Sequence, residues 1–518
     1  MKRGILAALG TIALGLLTGL PDVARSADLA AVAAARMSIR GADLKVHTDR
    51  LADDTFEGRE AGTRGGRAAG GYLVKEFQRH GLQPAGPTKG YFQEFGNEYR
   101  NILGLWPGGD PALQDEVVLV GAHYDHVGYG TSENSNGPTG YIHNGADDNA
   151  SGTSALLECV EAIVQLDPHP RRTILFALWD GEEKGLLGSQ HWIEAPTVAR
   201  SRVKIAFNMD MVGRLRKDRV EVYGTRTGHG LRRFVSRQNR GDLRLDFTWE
   251  MSEDSDHYTF YRAGIPSLML HTGLHDEYHT PRDDAELLNV EGMQSVGRLM
   301  FDLIVATADA DELPKFRQRS RVENVEGRVE REQPLPPLKS RLGIGWTKTD
   351  DDRLRIARVV PGAPGEAAGL QVGDLLESIN GVSIAAETDL GALVLAAQSP
   401  ITLVVRRGEE PEPRSVSIAL RGDPVRLGLA WRGDEGEPGS VILTRVVPGS
   451  LADKAGLKLR DRIYTVADQS FDGPEQCGEL LRGAALPFAV EIEREGKIQR
   501  LEIGQPPARE QTEADFVE

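Results

Sequence analysis

Three short apolar runs, each followed at once by acidic or histidine residues, constrain most strongly what this chain can fold into. The runs occupy residues 116–120, 173–179 and 203–207. Apolar runs of this length, bounded by Gly and polar residues, are typical of buried strands. In open α/β sheets, ligands bind beyond the carboxyl ends of the strands, so buried strands would bring the following side chains to one place. The sequence therefore predicts an α/β domain with a metal site at one edge of its sheet.

Candidate metal ligands follow each run, and further carboxylates lie where a helix begins after Gly145. Residues two apart on a strand share a face, so His123 and Asp125 should point together, with Tyr124 and His126 opposite. Carboxylates are favourable at a helix start, and one of them could bridge two cations. Two adjacent glutamates point differently, so one can bind metal while the other accepts a proton from water. The candidates are His123, Asp125, Asp147, Asp148, Glu182, Glu183, Asp210 and His279.

Each of these pieces also has a structural interpretation. An acidic pair at a strand end is usually a solvated loop or a helix cap. The run 275–279 has the histidine spacing of the HExxH zinc helix, but Asp276 stands where that motif needs Glu, and Gly273 and Pro281 confine it to a loop. The ensemble of ligands after apolar runs favours the metal site. Five further histidines are interpreted as structural or exposed: His126, His143, His257, His271 and His275.

Composition limits the partners and the compartment. A chain of 518 residues suggests two to four domains, and a formal charge of −16 argues against a nucleic-acid partner. Lys2 and Arg3 precede an apolar run over 5–20 and a small-residue cleavage site, so residues 1–26 are predicted to be a signal peptide. We therefore expect an exported protein, periplasmic or extracellular, without a membrane anchor. Cys159 and Cys477 are the two cysteines, which excludes a disulfide framework and a cysteine zinc cluster.

The ordered ligand set resembles the co-catalytic di-zinc aminopeptidase family, which includes secreted bacterial leucyl aminopeptidases and is related to glutamate carboxypeptidase II. The resemblance covers residues 37–307 and implies a mixed central sheet flanked by helices, the zinc exopeptidase fold. It also implies two Zn²⁺ ions and a peptide substrate. The segments that carry it are His123-x-Asp125, Asp148 to Gly152, Glu182-Glu183, Asp210 and His279-Thr280.

The resemblance also implies a role for each residue. His123 and Asp210 would hold one zinc, Glu183 and His279 the other, and Asp148 would bridge both. Glu182 would be the general base toward a water between the ions, Asp125 would orient His123, and Tyr278 would stabilise the oxyanion. The run 255–257 is expected to line the pocket without contacting metal.

The C-terminal part repeats itself and resembles a pair of bacterial PDZ domains. After a charged, Pro-containing linker at 308–340, the run 341–346 returns at 426–431, and 358–362 returns at 445–449. The predicted domains are PDZ-like domain 1 at 341–421 and PDZ-like domain 2 at 425–504, followed by an acidic tail at 505–518. Their apolar-Gly-apolar loops would receive a peptide C-terminus, with Arg341 and Arg426 beside them to support the anion. Packing or dimerisation is the alternative role.

The sequence thus predicts an exported zinc aminopeptidase whose PDZ-like domains bind or position peptides. Three alternatives stay open. A glutaminyl cyclase shares the fold but binds a single zinc and lacks part of the ligand set. A carboxypeptidase would use the same ligands. A peptide-binding scaffold with an inactive hydrolase domain is disfavoured because Glu182 accompanies a full ligand set.

Overall fold

Strands and helices alternate through the first part of the chain, as apolar runs separated by amphipathic segments predict. The computed structural model describes residues 29–504, so the predicted signal peptide (1–26) and acidic tail (505–518) lie outside the described residues. Among the described residues, no helix has the length and apolar character needed to cross a bilayer. The helices are α1 (Leu29–Ser38), α2 (Gly41–Leu51), α3 (Arg64–Arg79), α4 (Gly152–Val164), α5 (Leu187–Glu194), α6 (Leu231–Gln238), α7 (His257–Arg262), α8 (Val290–Asp309), α9 (Val325–Glu332), α10 (Pro364–Ala367), α11 (Leu390–Ala396), α12 (Leu451–Lys454) and α13 (Pro474–Gly483).

Twenty strands form three sheets within the described residues. The strands are β1 (Gln83–Pro84), β2 (Phe92–Phe95), β3 (Tyr99–Trp106), β4 (Val117–His123), β5 (Thr173–Trp179), β6 (Val203–Met209), β7 (Arg219–Tyr223), β8 (Arg244–Phe247), β9 (Ser267–His271), β10 (Ile344–Lys348), β11 (Leu354–Val359), β12 (Leu375–Ile379), β13 (Val382–Ser383), β14 (Ile401–Arg406), β15 (Arg414–Ile418), β16 (Leu429–Gly433), β17 (Val441–Val446), β18 (Arg462–Val466), β19 (Phe488–Arg494) and β20 (Lys497–Ile503).

The three apolar runs become the parallel strands β4, β5 and β6 at the centre of a nine-stranded mixed sheet. The strand order is β1-β3-β5-β4-β6-β9-β7-β8, with β2 paired to β3. β4 lies parallel to both β5 and β6, and β6 lies parallel to β9, whereas β7 and β3 run antiparallel to their inner neighbours. Every residue of β4 and β5 is buried, because helices cover the central strands. The predicted α/β class with a mixed central sheet is confirmed.

The predicted elements differ from the structure mainly at the N-terminal edge. The segment 37–95 contains α2 and α3 and ends in the short strands β1 and β2. No strand is predicted at β3, because the strand starts with the polar residues Tyr99, Arg100 and Asn101. Their polar side chains have specific partners, such as Gly188 O, which accepts from the Asn101 side-chain amide at 2.8 Å. Such contacts are invisible to a hydrophobic pattern.

The C-terminal repeat forms two similar sheets. PDZ-like domain 1 has the order β10-β11-β12-β14-β15 with β13 on β12, and PDZ-like domain 2 has β16-β17-β18-β19-β20. The same ion pair with a buried aspartate recurs in both, Arg407 with Asp374 at 2.8 Å and Arg494 with Asp461 at 2.7 Å. Gly343, in the apolar-Gly-apolar loop, has φ +76°, and a Cβ there would lie 2.1 Å from the Ala363 Cβ. Only glycine fits this turn.

Arg341 and Arg426, predicted to support a bound anion, both bond to main-chain oxygens of their own domains, and Arg426 also lines the cavity beside its apolar-Gly-apolar loop. The Arg341 guanidinium donates to the main-chain oxygens of Val394, Leu395 and Ala397 at 2.6 to 2.9 Å, where α11 ends. Arg426 does the same at the end of α13, donating to the oxygens of Leu481, Arg482 and Ala484. Terminal helix carbonyls lack intrahelical partners and attract cations, so both side chains are used inside their own domains.

The segment 308–340, predicted as a linker, contains a 3₁₀ turn (Gln318–Val322) and α9, and it packs on PDZ-like domain 2. The Arg432 guanidinium donates to the main-chain oxygen of Glu330 at 2.7 Å, and the Leu335 N–H donates to Thr444 O at 2.8 Å. The Arg445 guanidinium also donates to Pro336 O at 2.8 Å. This segment therefore fixes the second domain rather than only tethering it.

PDZ-like domain 2 is docked directly on the sheet edge formed by β7 and β8. The Leu245 N–H on β8 donates to Glu495 O at 2.9 Å, so the β19–β20 turn covers part of an exposed strand edge. Glu437 accepts hydrogen bonds from the backbone N–H groups of Arg232 at 2.7 Å and Arg233 at 3.3 Å. These N–H groups belong to the first turn of α6, which has no side-chain cap of its own. The second domain therefore caps a helix of the first.

Buried ion pairs hold this interface together. The Asp434 carboxylate is fully buried and accepts from Arg226 at 3.0 Å and from Arg462 at 2.8 Å. The Arg226 guanidinium also lies 3.6 Å from the ring centroid of Trp249 and pairs with Glu323 at 2.6 Å. Charges buried this deeply need their partners, because each one alone would lose its hydration without compensation.

We expect Asp434→Asn to destabilise the protein by about 3 kcal/mol, because it removes the buried counter-charge that the guanidinium groups of Arg226 and Arg462 share. The measurement is the urea denaturation midpoint of the full-length protein. Glu435→Gln is the matched control, since the Glu435 side chain is 69% exposed and lies 3.9 Å from Arg319. A midpoint for Asp434→Asn equal to that of the control would contradict the proposed strength of the interface.

Candidate metal centre

The predicted ligands meet at the carboxyl ends of β4, β5 and β6, as the parallel order requires. His123 is the last residue of β4 and lies opposite Trp179, the last residue of β5. Asp210 follows β6 directly. Between β4 and β5, a single π-helical turn (Ala146–Ser151) precedes α4 and carries Asp148 into the same place. The chain thus delivers ligands from three separate segments to one point.

A first group of donors consists of His123, Asp148 and Asp210. The His123 Nε2 atom lies 3.3 Å from Asp148 Oδ1 and 3.3 Å from Asp210 Oδ1. Two donors on a tetrahedral zinc with bonds of about 2.0 Å are separated by about 3.3 Å, so this spacing fits one shared ion. All three residues are buried, and their candidate donor atoms lie within 4.8 Å of one another.

A second group shares Asp148 and adds Glu183, His279 and His126. The His279 Nε2 atom lies 3.0 Å from Asp148 Oδ2 and 3.1 Å from Glu183 Oε2. The His279 Nδ1 atom lies 2.9 Å from Asn134 O, which leaves Nε2 for a metal ion. Because the two oxygens of Asp148 face different groups, this carboxylate has the geometry of a bridge between two ions.

The prediction that His126 points away from the ligands is wrong. Its side chain is fully buried, and Nδ1 lies 2.7 Å from Glu183 Oε1 and 3.7 Å from Asp148 Oδ2. The alternation of faces fails because β4 ends at His123, so the chain direction changes before residue 126. The ring is packed against Gly145, where an added Cβ would lie 2.5 Å from the imidazole. His126 is thus a member of the second group that the sequence analysis missed.

The two adjacent aspartates of the π-helical turn have different contacts. Asp148 faces the two donor groups, whereas Asp147 Oδ1 accepts from the Gly213 N–H at 2.6 Å and from the Ser151 hydroxyl at 3.0 Å. The Asp283 carboxylate accepts from the backbone N–H groups of both aspartates at 3.0 and 3.1 Å. Asp147 and Asp283 therefore hold the turn that presents Asp148.

Asp125 contacts the glutamate pair more closely than the histidine that it was predicted to orient. Its Oδ1 atom accepts from the Glu182 N–H at 3.1 Å, and Oδ2 accepts from the Glu183 N–H at 3.4 Å. Its carboxylate lies 3.8 Å from His123 Nδ1, whereas its main-chain oxygen lies 3.2 Å from that atom. The Asp125 carboxylate therefore fixes the backbone of the glutamate pair, and its main chain faces the histidine.

Excess negative charge dominates the electrostatics of the two histidines. Burial lowers the pKa of His123, but the charge of Asp210 and other carboxylates outweighs it and holds this pKa well above its usual value. Burial likewise opposes protonation of His279, yet hydrogen bonds with Asp148 and Glu183 raise its pKa to about 11. The negative charge of the site therefore favours a bound cation or protonated histidines.

The pKa values of the carboxylates are shifted in opposite directions. Burial raises the pKa of Glu182 well above its usual value, with the cationic form of His123 only partly opposing it. Burial would raise the pKa of Glu183, but the contact with His126 lowers it below its usual value. Burial would also raise the pKa of Asp148, but hydrogen bonds from His123 and His279 hold it well below its usual value. Adjacent carboxyls with pKa values pushed apart are typical of a proton-transfer residue beside a charged ligand.

A cavity of about 420 Å³ opens beside the two donor groups. Glu182 and Tyr278 line it together with three of the candidate ligands, and the Tyr278 ring stacks on His279 with centroids 3.9 Å apart. The run 255–257, expected in the pocket wall, is buried and does not line the cavity; the exposed Asp254 lines it instead. Sequence patterns did not identify the opposite wall: Met211, Glu221, Tyr223, Asp254, Met269, His271 and Leu274.

The donor set fits divalent zinc. It offers imidazole nitrogens and carboxylate oxygens, which zinc binds, at separations that match a shared first coordination sphere. The Nε2 atom of His126 is buried and has no hydrogen-bond partner among the described residues, and that of His279 faces the oxygens of Asp148 and Glu183. Buried polar atoms normally find partners, so this pattern is typical of a site that is completed by a bound ion.

Comparisons with known proteins find models that match parts of the chain. Residues 101–304 match the model of Peptidase family M28, and residues 355–407 and 442–493 each match the PDZ domain. Aminopeptidase YwaD of Bacillus subtilis is 30% identical over 213 residues, which cover 39% of this chain and 43% of that protein. Leupeptin-inactivating enzyme 1 of Streptomyces exfoliatus is 29% identical over 175 residues, covering 33% and 36%. The chain thus spans less than half the length of these relatives.

Among solved structures, the chain is similar to a zinc aminopeptidase from Bacillus subtilis with a TM-score of 0.42 and 18% identity. The alignment covers 54% of this chain and 98% of that one.

We expect His126→Asn to weaken binding of the ion held by Asp148, Glu183 and His279 by about 10- to 100-fold, the usual cost of losing a neighbour that binds or orients a metal ligand. Zinc titration calorimetry and competition with a chelator measure this directly. His143→Asn is the matched control, because His143 is buried nearby and bonds to Ser135 Oγ at 2.8 Å without belonging to either group. Equal zinc affinity in the two variants would contradict a role of His126 at the metal.

Proposed function

We propose that this chain, with its Peptidase family M28 domain and its two PDZ domains, is an exported zinc-dependent aminopeptidase that removes N-terminal residues from peptides. The observation that carries the proposal is a pair of donor groups that share Asp148, with Glu182 in the wall of the adjoining cavity. The relatives named as aminopeptidases support the same reaction class. The signal-like N-terminus supports export.

Each ligand has a proposed place. His123 and Asp210 would hold one zinc, Glu183 and His279 the other, and Asp148 both. Zinc ions bound here would lower the pKa of a water and polarise the carbonyl of the scissile bond. A bridging carboxylate with one oxygen in each donor group supports two ions rather than one.

The protein's own residues would carry the proton and the charge. Glu182 accepts a proton from the attacking water and delivers it to the leaving amine, a task that its raised pKa suits. Asp125 keeps this glutamate in place through the backbone N–H at 3.1 Å. The Tyr278 hydroxyl, in the cavity wall beside His279, would donate a hydrogen bond to the oxyanion as it develops.

The charge of the cavity favours attack from the amino end. Its described lining residues include neither Lys nor Arg, and the carboxylates Asp148, Glu182 and Asp210 would lie beside the scissile bond. A carboxypeptidase must bind the terminal carboxylate of its substrate, which calls for a cation. A free α-ammonium group suits an acidic cavity, so the aminopeptidase is the better candidate.

The remaining alternatives fit less well. A glutaminyl cyclase would need a single ion, whereas two donor groups converge here on Asp148. An inactive scaffold would not need Glu182 fixed in the cavity wall with its backbone held by Asp125. Both alternatives predict no aminopeptidase turnover.

The PDZ-like domains are proposed to bind and position peptide substrates. PDZ-like domain 2 has an apolar cavity of about 280 Å³ between its Leu427-Gly428-Leu429 loop and α13, with Trp431 in its wall. This is where a peptide could add as a strand to the free edge of β16. Because the domain is docked on β7 and β8, deleting it would also damage the peptidase domain. Point variants in the groove are therefore the cleaner test.

Zinc content with turnover tests the catalytic proposal. We expect about two zinc ions per chain and hydrolysis of aminoacyl-nitroanilides. Glu182→Gln should keep both ions and lower kcat by about 10²- to 10⁴-fold, the usual contribution of a general base. Glu183→Gln is the matched neighbour and should lose an ion. One zinc or none with no turnover would favour the cyclase or the scaffold, and turnover on C-terminal substrates only would establish a carboxypeptidase.

Steady-state kinetics on long and short substrates test the role of the PDZ groove. We expect Trp431→Ala to raise KM for long peptides by up to about tenfold, as loss of an aromatic anchor commonly does. The KM for aminoacyl-nitroanilides should not change. Val372→Ala, at a residue 65% exposed in PDZ-like domain 1, serves as the control. Unchanged kinetics on long peptides would remove peptide recruitment by PDZ-like domain 2.

A further inference from the structure

The cavity wall opposite the candidate ligands has an amphipathic composition. It is one face of the antiparallel pair β7 and β9, where Glu221 lies opposite His271 and Tyr223 lies opposite Met269. Residues two apart on a strand share a face, so these four side chains point into the cavity together. β9 is the neighbour of β6, which leads to Asp210. Since strands lie about 4.8 Å apart, β7 is about 10 Å from the strand that carries that ligand.

The part of the wall nearest the ligands is apolar. Met211 follows Asp210 in the chain and is 3% exposed, and Met269 is 1% exposed. Leu274 lies in the loop after β9 and is 63% exposed, so it borders the mouth of the cavity. Flexible methionine side chains adapt to an aliphatic chain. The methionines therefore give the cavity an apolar lining on the side of β6 and β9.

The far part of the wall carries negative charge. The Glu221 side chain is 18% exposed and accepts from the Tyr223 hydroxyl at 2.9 Å and from Arg219 at 2.8 Å. Arg219 does not line this cavity and is shared with Asp246. Asp254 is exposed, lines the cavity and, among the described residues, has no ion-pair partner. A carboxylate accepts up to about four hydrogen bonds, so both groups can receive a further donor.

From this arrangement we infer that the cavity selects substrates whose N-terminal residue is cationic, Lys or Arg. The inference rests on the proposed aminopeptidase function. The aliphatic stem of such a side chain would lie along Met211, Met269 and Leu274, and its charged head would reach Glu221 and Asp254. Long basic side chains bury their stem on apolar surface and keep the charge near polar groups. A Leu side chain would fill the apolar part but offer no donor to Glu221 or Asp254.

Kinetics on matched substrates test the inference. The wild-type protein, loaded with zinc, is assayed with Lys-nitroanilide and with norleucine-nitroanilide, which has the same carbon stem without the ammonium group. We expect kcat/KM to be at least about tenfold higher for Lys, since hydrogen bonds to charged groups commonly contribute that much. Added salt should reduce this ratio, because exposed charges are screened.

The double variant Glu221→Gln and Asp254→Asn assigns the preference to these residues. We expect it to raise KM for Lys-nitroanilide by about tenfold or more with little change in kcat, and to leave norleucine-nitroanilide unaffected. Glu253→Gln is the matched control, because Glu253 is exposed, does not line the cavity and pairs with Arg262 at 3.5 Å. An unchanged melting temperature shows that the variants are folded.

The outcomes separate this inference from the proposed function. Norleucine hydrolysis equal to or faster than Lys hydrolysis by the wild type would overturn the cationic preference and leave the aminopeptidase standing. An equal loss on both substrates in the double variant would likewise overturn it. No turnover on any aminoacyl substrate would overturn the aminopeptidase itself, and the inference with it.

Discussion

Carboxylates buried at the ends of strands need positive charge nearby, and the arrangement of the peptidase domain follows from that need. Removing an ionised carboxylate from water is costly unless it is paired or binds a metal. Three segments of the chain bring four such carboxylates together: Asp148, Glu182, Glu183 and Asp210. Burial opposes protonation of His123, but the negative charge of Asp210 and the neighbouring carboxylates holds its pKa well above the usual value. The same local field that would bind two zinc ions therefore also suits a glutamate that transfers protons.

One compensating cation is built into the fold behind the ligands. The guanidinium of Arg59 is fully buried and donates to the main-chain oxygens of Leu51, Tyr124, Asn144 and Gly145 at 2.6 to 2.9 Å. Burial lowers its pKa to about 10, against the attraction of nearby aspartates, so it stays charged at neutral pH. Because its partners belong to the loops before His126 and before the π-helical turn, one side chain joins the two segments that present the ligands. Arginine suits this task, since its fork of donors serves several carbonyls at once.

Much of the fold could be predicted because its signals are local. Residues 173–179 form a strand as predicted, and His123 and Asp210 lie together because parallel strands align their carboxyl ends. Other features depend on contacts between distant segments. His126 lies past the end of β4, where the alternation of faces no longer applies. Glu221 enters the cavity wall because β7 pairs antiparallel with β9, and nothing near it in the sequence indicates that pairing.

The same sheet joins the cavity to PDZ-like domain 2, and this constrains how the two can act together. β7 forms the cavity wall on one side and pairs with β8 on the other, and the β19–β20 turn contacts the edge of β8. Arg219 on β7 bonds to Glu221 in the wall and to Asp246 on β8, so one guanidinium spans both strands. A domain docked by buried charges cannot swing as a tethered recruiter does. A peptide bound in its groove would therefore be held at a fixed position relative to the cavity. Any effect of that binding on the cavity would pass through β7 and β8, the strand pair that supports the acidic wall.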